Sequence, residues 1–205
     1  MNLLLKNFNR KIQKELISFK DYLFSLKSFI IFSSLFFLVF ILIGYFSAHN
    51  FYFMATNFFD LLAEKLSPII NLSPVGHFLI IFLNNSLACF LIIFLGMIFG
   101  IFTLFSLAVN GMLIGIVAYI IKTEISWGAF FLGIIPHGII EVPIIIISAA
   151  IGFKLAEVLF NKIFKKEKNI IQEINFALTV FLKIILPLLA LAAFIEAFIT
   201  PLFLL

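Results

Sequence analysis

The sequence predicts an all-α fold: a polytopic transmembrane helical bundle of about five spans, with a half-helix or re-entrant segment and amphipathic helices at the membrane interface. Three observations predict it. Hydrophobic residues make up 64% of the 205 residues and charged residues 12%, where a soluble domain is about half apolar and a quarter charged. Uncharged apolar runs of about 20 residues recur, the length that carries a helix across a ~30 Å hydrocarbon core at ~1.5 Å per residue. Lysine and arginine gather in two clusters, at 6–27 and 154–168, rather than spreading over a surface. A small soluble fold has too little interior to hide so much apolar surface. Lipid removes that difficulty, and the 30 phenylalanines can face acyl chains. The net charge of +4 sits on too few, too membrane-bound residues to argue for nucleic acid. It reads as an orientation signal and as contacts for anionic headgroups.

Residues 1–27 form the first unit. Leu5, Phe8, Ile12, Leu16, Phe19, Leu23 and Leu26 recur at three- and four-residue steps, with Lys6, Arg10, Lys11, Lys14 and Lys20 mostly between them. This is an amphipathic basic helix expected at the cytoplasmic interface. Residues 28–205 form the transmembrane domain. Its first span is expected at about 28–48; it lacks a small-residue cleavage pattern and reads as a retained anchor. Phe51, Phe53, Met54, Phe58, Phe59, Leu62 and Leu66 suggest a second interfacial helix ended by Ser67-Pro68, and Pro74 with Gly76 suggests a turn. The run from 77 to 121 carries no Asp, Glu, Lys or Arg. It is too long for one span and suits a tight hairpin, about 78–99 and 101–121. Residues 127–160 are apolar but interrupted by Pro136-His137-Gly138. Proline removes a backbone donor and glycine weakens a helix, so a half-helix at 127–135, a break at Pro136 and Gly138, and a span at about 139–160 are expected. The last span is expected at about 176–199, with a kink at Pro187. With four crossings between them, the two basic segments lie on one side. The positive-inside rule makes that side cytoplasmic, which puts the N-terminus inside the cell membrane and the C-terminus outside.

Small residues four apart occur at Gly96 and Gly100, at Gly111 and Gly115, and at Ala193 and Ala197. They make flat faces where helix backbones approach, either within the hairpin or between copies. The polar residues within apolar runs are Asn84, Asn85, Asn110, His137, Glu141 and Glu196. His137 and Glu141 are four apart and would share one helix face. A carboxylate in hydrocarbon costs roughly 3 kcal/mol on insertion scales and persists by protonation, pairing or access to water. This intramembrane cluster is therefore either a polar strut that sets helix register or a site for protons or a small ligand. His-x-x-x-Glu offers two metal ligands, but no second histidine or cysteine pair accompanies it. The single Cys89 fits no zinc spacing and makes no intrachain disulfide. No serine elbow, phosphate-binding loop or paired intramembrane aspartate is present. No catalytic residue, metal or cofactor is expected. His49 and His77 read as interfacial anchors, Trp127 as a belt residue, and Lys183 as a side chain that snorkels.

Asn84-Asn85, Gly96 with Gly100, Asn110-Gly111 with Gly115, the string Pro136-His137-Gly138-Ile139-Ile140-Glu141 and the string Ile195-Glu196-Ala197-Phe198-Ile199-Thr200-Pro201 resemble the stage II sporulation protein M family over about 78–201. Residues 1–77 match only in layout, and Pro143 departs from an alanine-rich expectation. The resemblance implies a multi-span membrane protein that, in spore formers, works in a membrane complex beside a wall-degrading enzyme. The functional expectation is a non-enzymatic membrane scaffold or complex subunit, with the bilayer and either further copies or other membrane proteins as partners. The alternative is a transporter or channel-like protein that uses His137, Glu141 and Glu196 as a proton or ligand site.

Overall fold

The computed structural model describes residues 20–70, 72–164 and 170–203. It is helical throughout, and no strand occurs among the described residues. Hydrocarbon offers no partner for backbone groups, so a chain this apolar satisfies them inside helices. Residues 20–25 are helical and turn at Leu26 into α1, Lys27–Asn50. Then come α2, Tyr52–Ile70; α3, Pro74–Gly96; α4, Ile101–Glu124; and α5, Trp127–Phe164. Finally α6 covers Ile170–Ile199 and ends in a 3-10 turn, Thr200–Phe203. Five stretches are long and apolar enough to cross a membrane: α1, α3, α4, Gly138–Phe164 of α5, and α6. Residues 1–19 of the basic N-terminal helix, and Lys165, Lys166 and Lys168 of the second cluster, lie outside the described residues.

Several boundaries correct the sequence reading. Pro74 and Gly76 do not make a turn. They open α3, where Pro74 begins the helix and the Ser73 hydroxyl accepts a hydrogen bond from the Gly76 amide at 3.3 Å; proline suits this position because its missing donor would have had no helical partner. α2 continues past Ser67-Pro68 to Ile70. The largest correction is α5. Its helix runs unbroken through Pro136-His137-Gly138, with no half-helix and no re-entrant segment. The energies explain this. A proline inside a helix costs about 3 kcal/mol, whereas a true break in an apolar setting strands several backbone groups at a few kcal/mol each. α6 meets Pro187 differently. A π-helical turn, Phe181–Ile185, lies just before it, with the Leu186 amide bonded to the Phe181 carbonyl. The wider turn makes room for the ring where a kink was expected. A second π turn, Ile195–Ile199, closes the helix.

Packing sets the directions of the spans. Gly111 of α4 lies against Phe37, Phe40 and Ile41 of α1, Gly115 against Ile41 and Tyr45, and Gly44 of α1 against Met112. Contacts advance together along both chains, so α1 and α4 run parallel. α3 and α5 also run parallel, meeting at Gly96 and Gly152, where a Cβ on Gly152 would stand 2.6 Å from the Ile92 carbonyl oxygen. α6 runs against them, with Phe181 beside Phe90 and Glu196 beside Glu141. The glycine pair of α4 thus packs on α1 rather than on its hairpin mate, and Gly44 and Gly152 complete the faces. The α3–α4 turn needs two left-handed residues, Phe99 (φ 54°) and Gly100 (φ 69°). At Gly100 the absent Cβ leaves space for the Phe153 ring.

The two basic regions share one end of the bundle. Tyr22 stacks on Phe176 at 5.0 Å and is buried with Leu26, Ile151, Leu155, Ala177 and Phe181. Lys154 stands 5.8 Å over the Phe29 ring and pairs with Glu157 at 2.9 Å. Burial, and secondarily the Glu173 carboxylate, push the Tyr22 phenol above the usual tyrosine range. α2 lies at the opposite end and divides into three faces. Ala55 and Phe59 pack inward, Met54, Phe58 and Leu61 are exposed and apolar, and Asn57, Asp60 and Glu64 make an exposed polar side. Such a helix fits a boundary between protein, lipid and water.

Candidate functional site

Four of the six polar residues come together. Eleven residues separate Asn85 from Gly96 on α3 and also Glu141 from Gly152 on α5. Because the helices are parallel and Gly96 meets Gly152, that equal offset sets Asn85 against Glu141. The Asn85 Nδ2 donates to Glu141 Oε1. Asn84 Nδ2 donates to Asn85 Oδ1 at 3.5 Å, the long limit of such a contact. Glu196, in the second π turn of α6, approaches Glu141 closely enough for the two carboxyl groups to interact electrostatically. The result is a polar ladder across α3, α5 and α6. Asn85, Glu141 and Glu196 are half-buried, and Asn84 is exposed.

Two residues stand apart. The Asn110 amide donates at 2.8 Å to the Ser106 carbonyl one turn back on α4, so it bonds to its own helix and not to the ladder. The side chain of His137 lies outside the described residues; its backbone belongs to α5, one turn before Glu141. Among the described residues no group of three or more His, Cys, Asp and Glu is placed to hold a metal ion.

A second polar assembly, at the α2 end, was not legible in the sequence. His49 Nδ1 meets the Tyr119 hydroxyl at 2.9 Å, and the Tyr52 hydroxyl donates to Glu124 Oε1. Tyr45 contacts both Tyr119 and Trp127, and Lys122 lies 5.8 Å over the Tyr119 ring. The hydrogen bond to Glu124 pushes the Tyr52 phenol upward, with smaller contributions from burial and charge. His49 and Trp127 are therefore parts of a clasp joining α1, α2, α4 and α5. Only the parallel register of α1 and α4 brings together partners about 70 positions apart.

The family model described as stage II sporulation protein M matches residues 33–201, most of the chain. The chain belongs to the stage II sporulation protein M family. All four ladder residues fall within the matched region. An uncharacterized protein of Methanocaldococcus jannaschii is 36% identical over 123 residues, covering 58% of this chain and 67% of that protein. A second uncharacterized protein of the same archaeon is 38% identical over 98 residues, covering 48% of this chain and 40% of its own length. No solved structure matches. Family membership and the five apolar helices make this a multi-pass membrane protein.

Proposed function

We propose that this member of the stage II sporulation protein M family is a non-enzymatic scaffold or subunit of a membrane complex in the cell membrane. The observation that carries the reading is the Asn85–Glu141 hydrogen bond, on the same pair of helices whose backbones meet about three turns away at Gly96 and Gly152. The carboxyl group spends an acceptor on the neighbouring helix, which is how a buried polar group fixes register. Orientation follows the positive-inside rule: the end holding Lys20, Lys27 and Lys154 faces the cytoplasm, and the C-terminus lies outside.

One observation favours transport instead. Glu196 lies in a π turn, a feature often found at functional sites, and it faces a second carboxyl group. A paired measurement separates the two readings. Native mass spectrometry of gently extracted membranes should find the chain in a stoichiometric complex that Asn85→Leu weakens, while reconstituted wild type carries no proton flux in vesicles loaded with a pH dye. A solitary chain sustaining a flux that Glu141→Gln abolishes would replace the scaffold with a transporter.

A further inference from the structure

α1 and α3 are the spans that show most surface outward: 17% of the apolar stretch of each is buried, against 50% in Gly138–Phe164. Their outward faces differ in chemistry. Between Ile31 and Phe46 every exposed residue of α1 is apolar, which suits acyl chains. Near the middle of α3, the exposed face holds the Asn84 amide. One of its N–H groups reaches Asn85 at 3.5 Å, and Asn84 makes no other hydrogen bond among the described residues. Water cannot complete its bonding inside a bilayer, and an amide left bare in apolar surroundings is costly.

The residues around it form a seam. Ile80, Asn84, Leu87 and Leu91 follow one another at steps of four, three and four, the heptad spacing by which one helix meets another. Ile80 and Leu87 are exposed, at 39% and 58%, and Leu91 is half-buried. A single asparagine in such a seam fixes register and the number of strands in soluble coiled coils, and amides bond across helices in membranes.

We propose that α3 pairs with α3 of a second copy along Ile80, Asn84, Leu87 and Leu91, with the two Asn84 amides bonded to each other. The occupant is a second copy because an amide is self-complementary. Across a two-fold axis each side chain gives one N–H and accepts one, so both are satisfied by the same residue. The proposal rests on the reading of the protein as part of a membrane complex and names the contact that builds it.

The test uses the full chain in lipid vesicles over a range of protein-to-lipid ratios. Wild type should show a monomer–dimer equilibrium by single-molecule photobleaching. Asn84→Leu should weaken it about three- to thirty-fold, the range expected for an interhelical polar contact in lipid, and Asn84→Gln should restore most of it. In a Cys89→Ala background, single cysteines at 84, 87 and 91 should cross-link on oxidation, while cysteines at 83 and 90 should not. This scan reads the seam even if Asn84→Leu folds poorly. A chain that stays monomeric at every dilution, an Asn84→Leu dimer as tight as wild type, or cross-links through 83 and 90 would each overturn the proposal. If the monomer still extracts in a stoichiometric complex with a different protein, the dimer alone is wrong. If it extracts alone, the subunit reading falls with it.

Discussion

Asn85 lies about three helical turns from the Gly96–Gly152 backbone contact of α3 and α5, and its amide is the donor to the Glu141 carboxyl group. Removing the donor and removing the charge should therefore act differently. Asn85→Leu leaves a partly buried carboxyl group without its partner and should lower unfolding stability by about 1–3 kcal/mol. Glu141→Gln keeps an acceptor facing Asn85 and takes one carboxyl group away from its neighbour Glu196, so its stability in detergent should equal or exceed wild type. Comparing the two by thermal unfolding decides between a strut and a site that needs the charge: equal losses would point to the site. Tyr22 adds a pH dependence. Its hydroxyl is buried with no hydrogen-bond partner among the described residues, and its folded-state pKa lies above the usual tyrosine value. A raised pKa favours the neutral phenol in the folded state. Its contribution is thus intact below pH ~10 and is lost as the pH rises beyond that. Tyr22→Phe should be at least as stable at neutral pH and should lack the alkaline loss, as followed by unfolding between pH 8 and 12.

At the scale of elements, glycines with the same conformation differ by what faces them. A Cβ on Gly115 would run into the Ile41 carbonyl oxygen and stand 2.7 Å from the Tyr45 amide nitrogen, both on the backbone of α1. A Cβ on Gly133 of α5 would meet nothing within 4 Å among the described residues. Gly115→Ala should destabilise by about 1–3 kcal/mol through overpacking. Gly133→Ala should be neutral or gain up to about 1 kcal/mol from helix propensity. Chemical unfolding of the two variants in matched micelles checks the contrast. The glycine spacing was legible in the sequence; its partner was not, because a flat face fits any helix that presents another. The course of α5 was not legible either. A proline–glycine pair weakens a helix locally, and only the larger cost of stranded backbone groups in an apolar setting keeps the helix whole.

For the whole molecule, the alternating directions of the spans bring Tyr22, Lys154 and Phe176 to one end and His49, Tyr119 and Glu124 to the other. If the basic end faces the cytoplasm as proposed, Lys162→Cys in a Cys89→Ala background should resist a membrane-impermeant thiol reagent in intact cells. Asn50→Cys in the same background should react. Reversal of that pattern would invert the topology while leaving the packing of the spans untouched.

Composition and the placement of charge were enough to establish the helical membrane class, the spans within a few residues, and the pairing of the two basic regions at one end. Each of these follows from the cost of putting polar groups into hydrocarbon, a property the residues carry with them. Which polar residues meet was decided by tertiary structure alone. Asn85 reaches Glu141 because Gly96 lies against Gly152, whereas Asn110 stays bonded to its own helix. Such contacts depend on the relative register and rotation of separate helices, and those are fixed by side-chain packing between segments far apart in the chain.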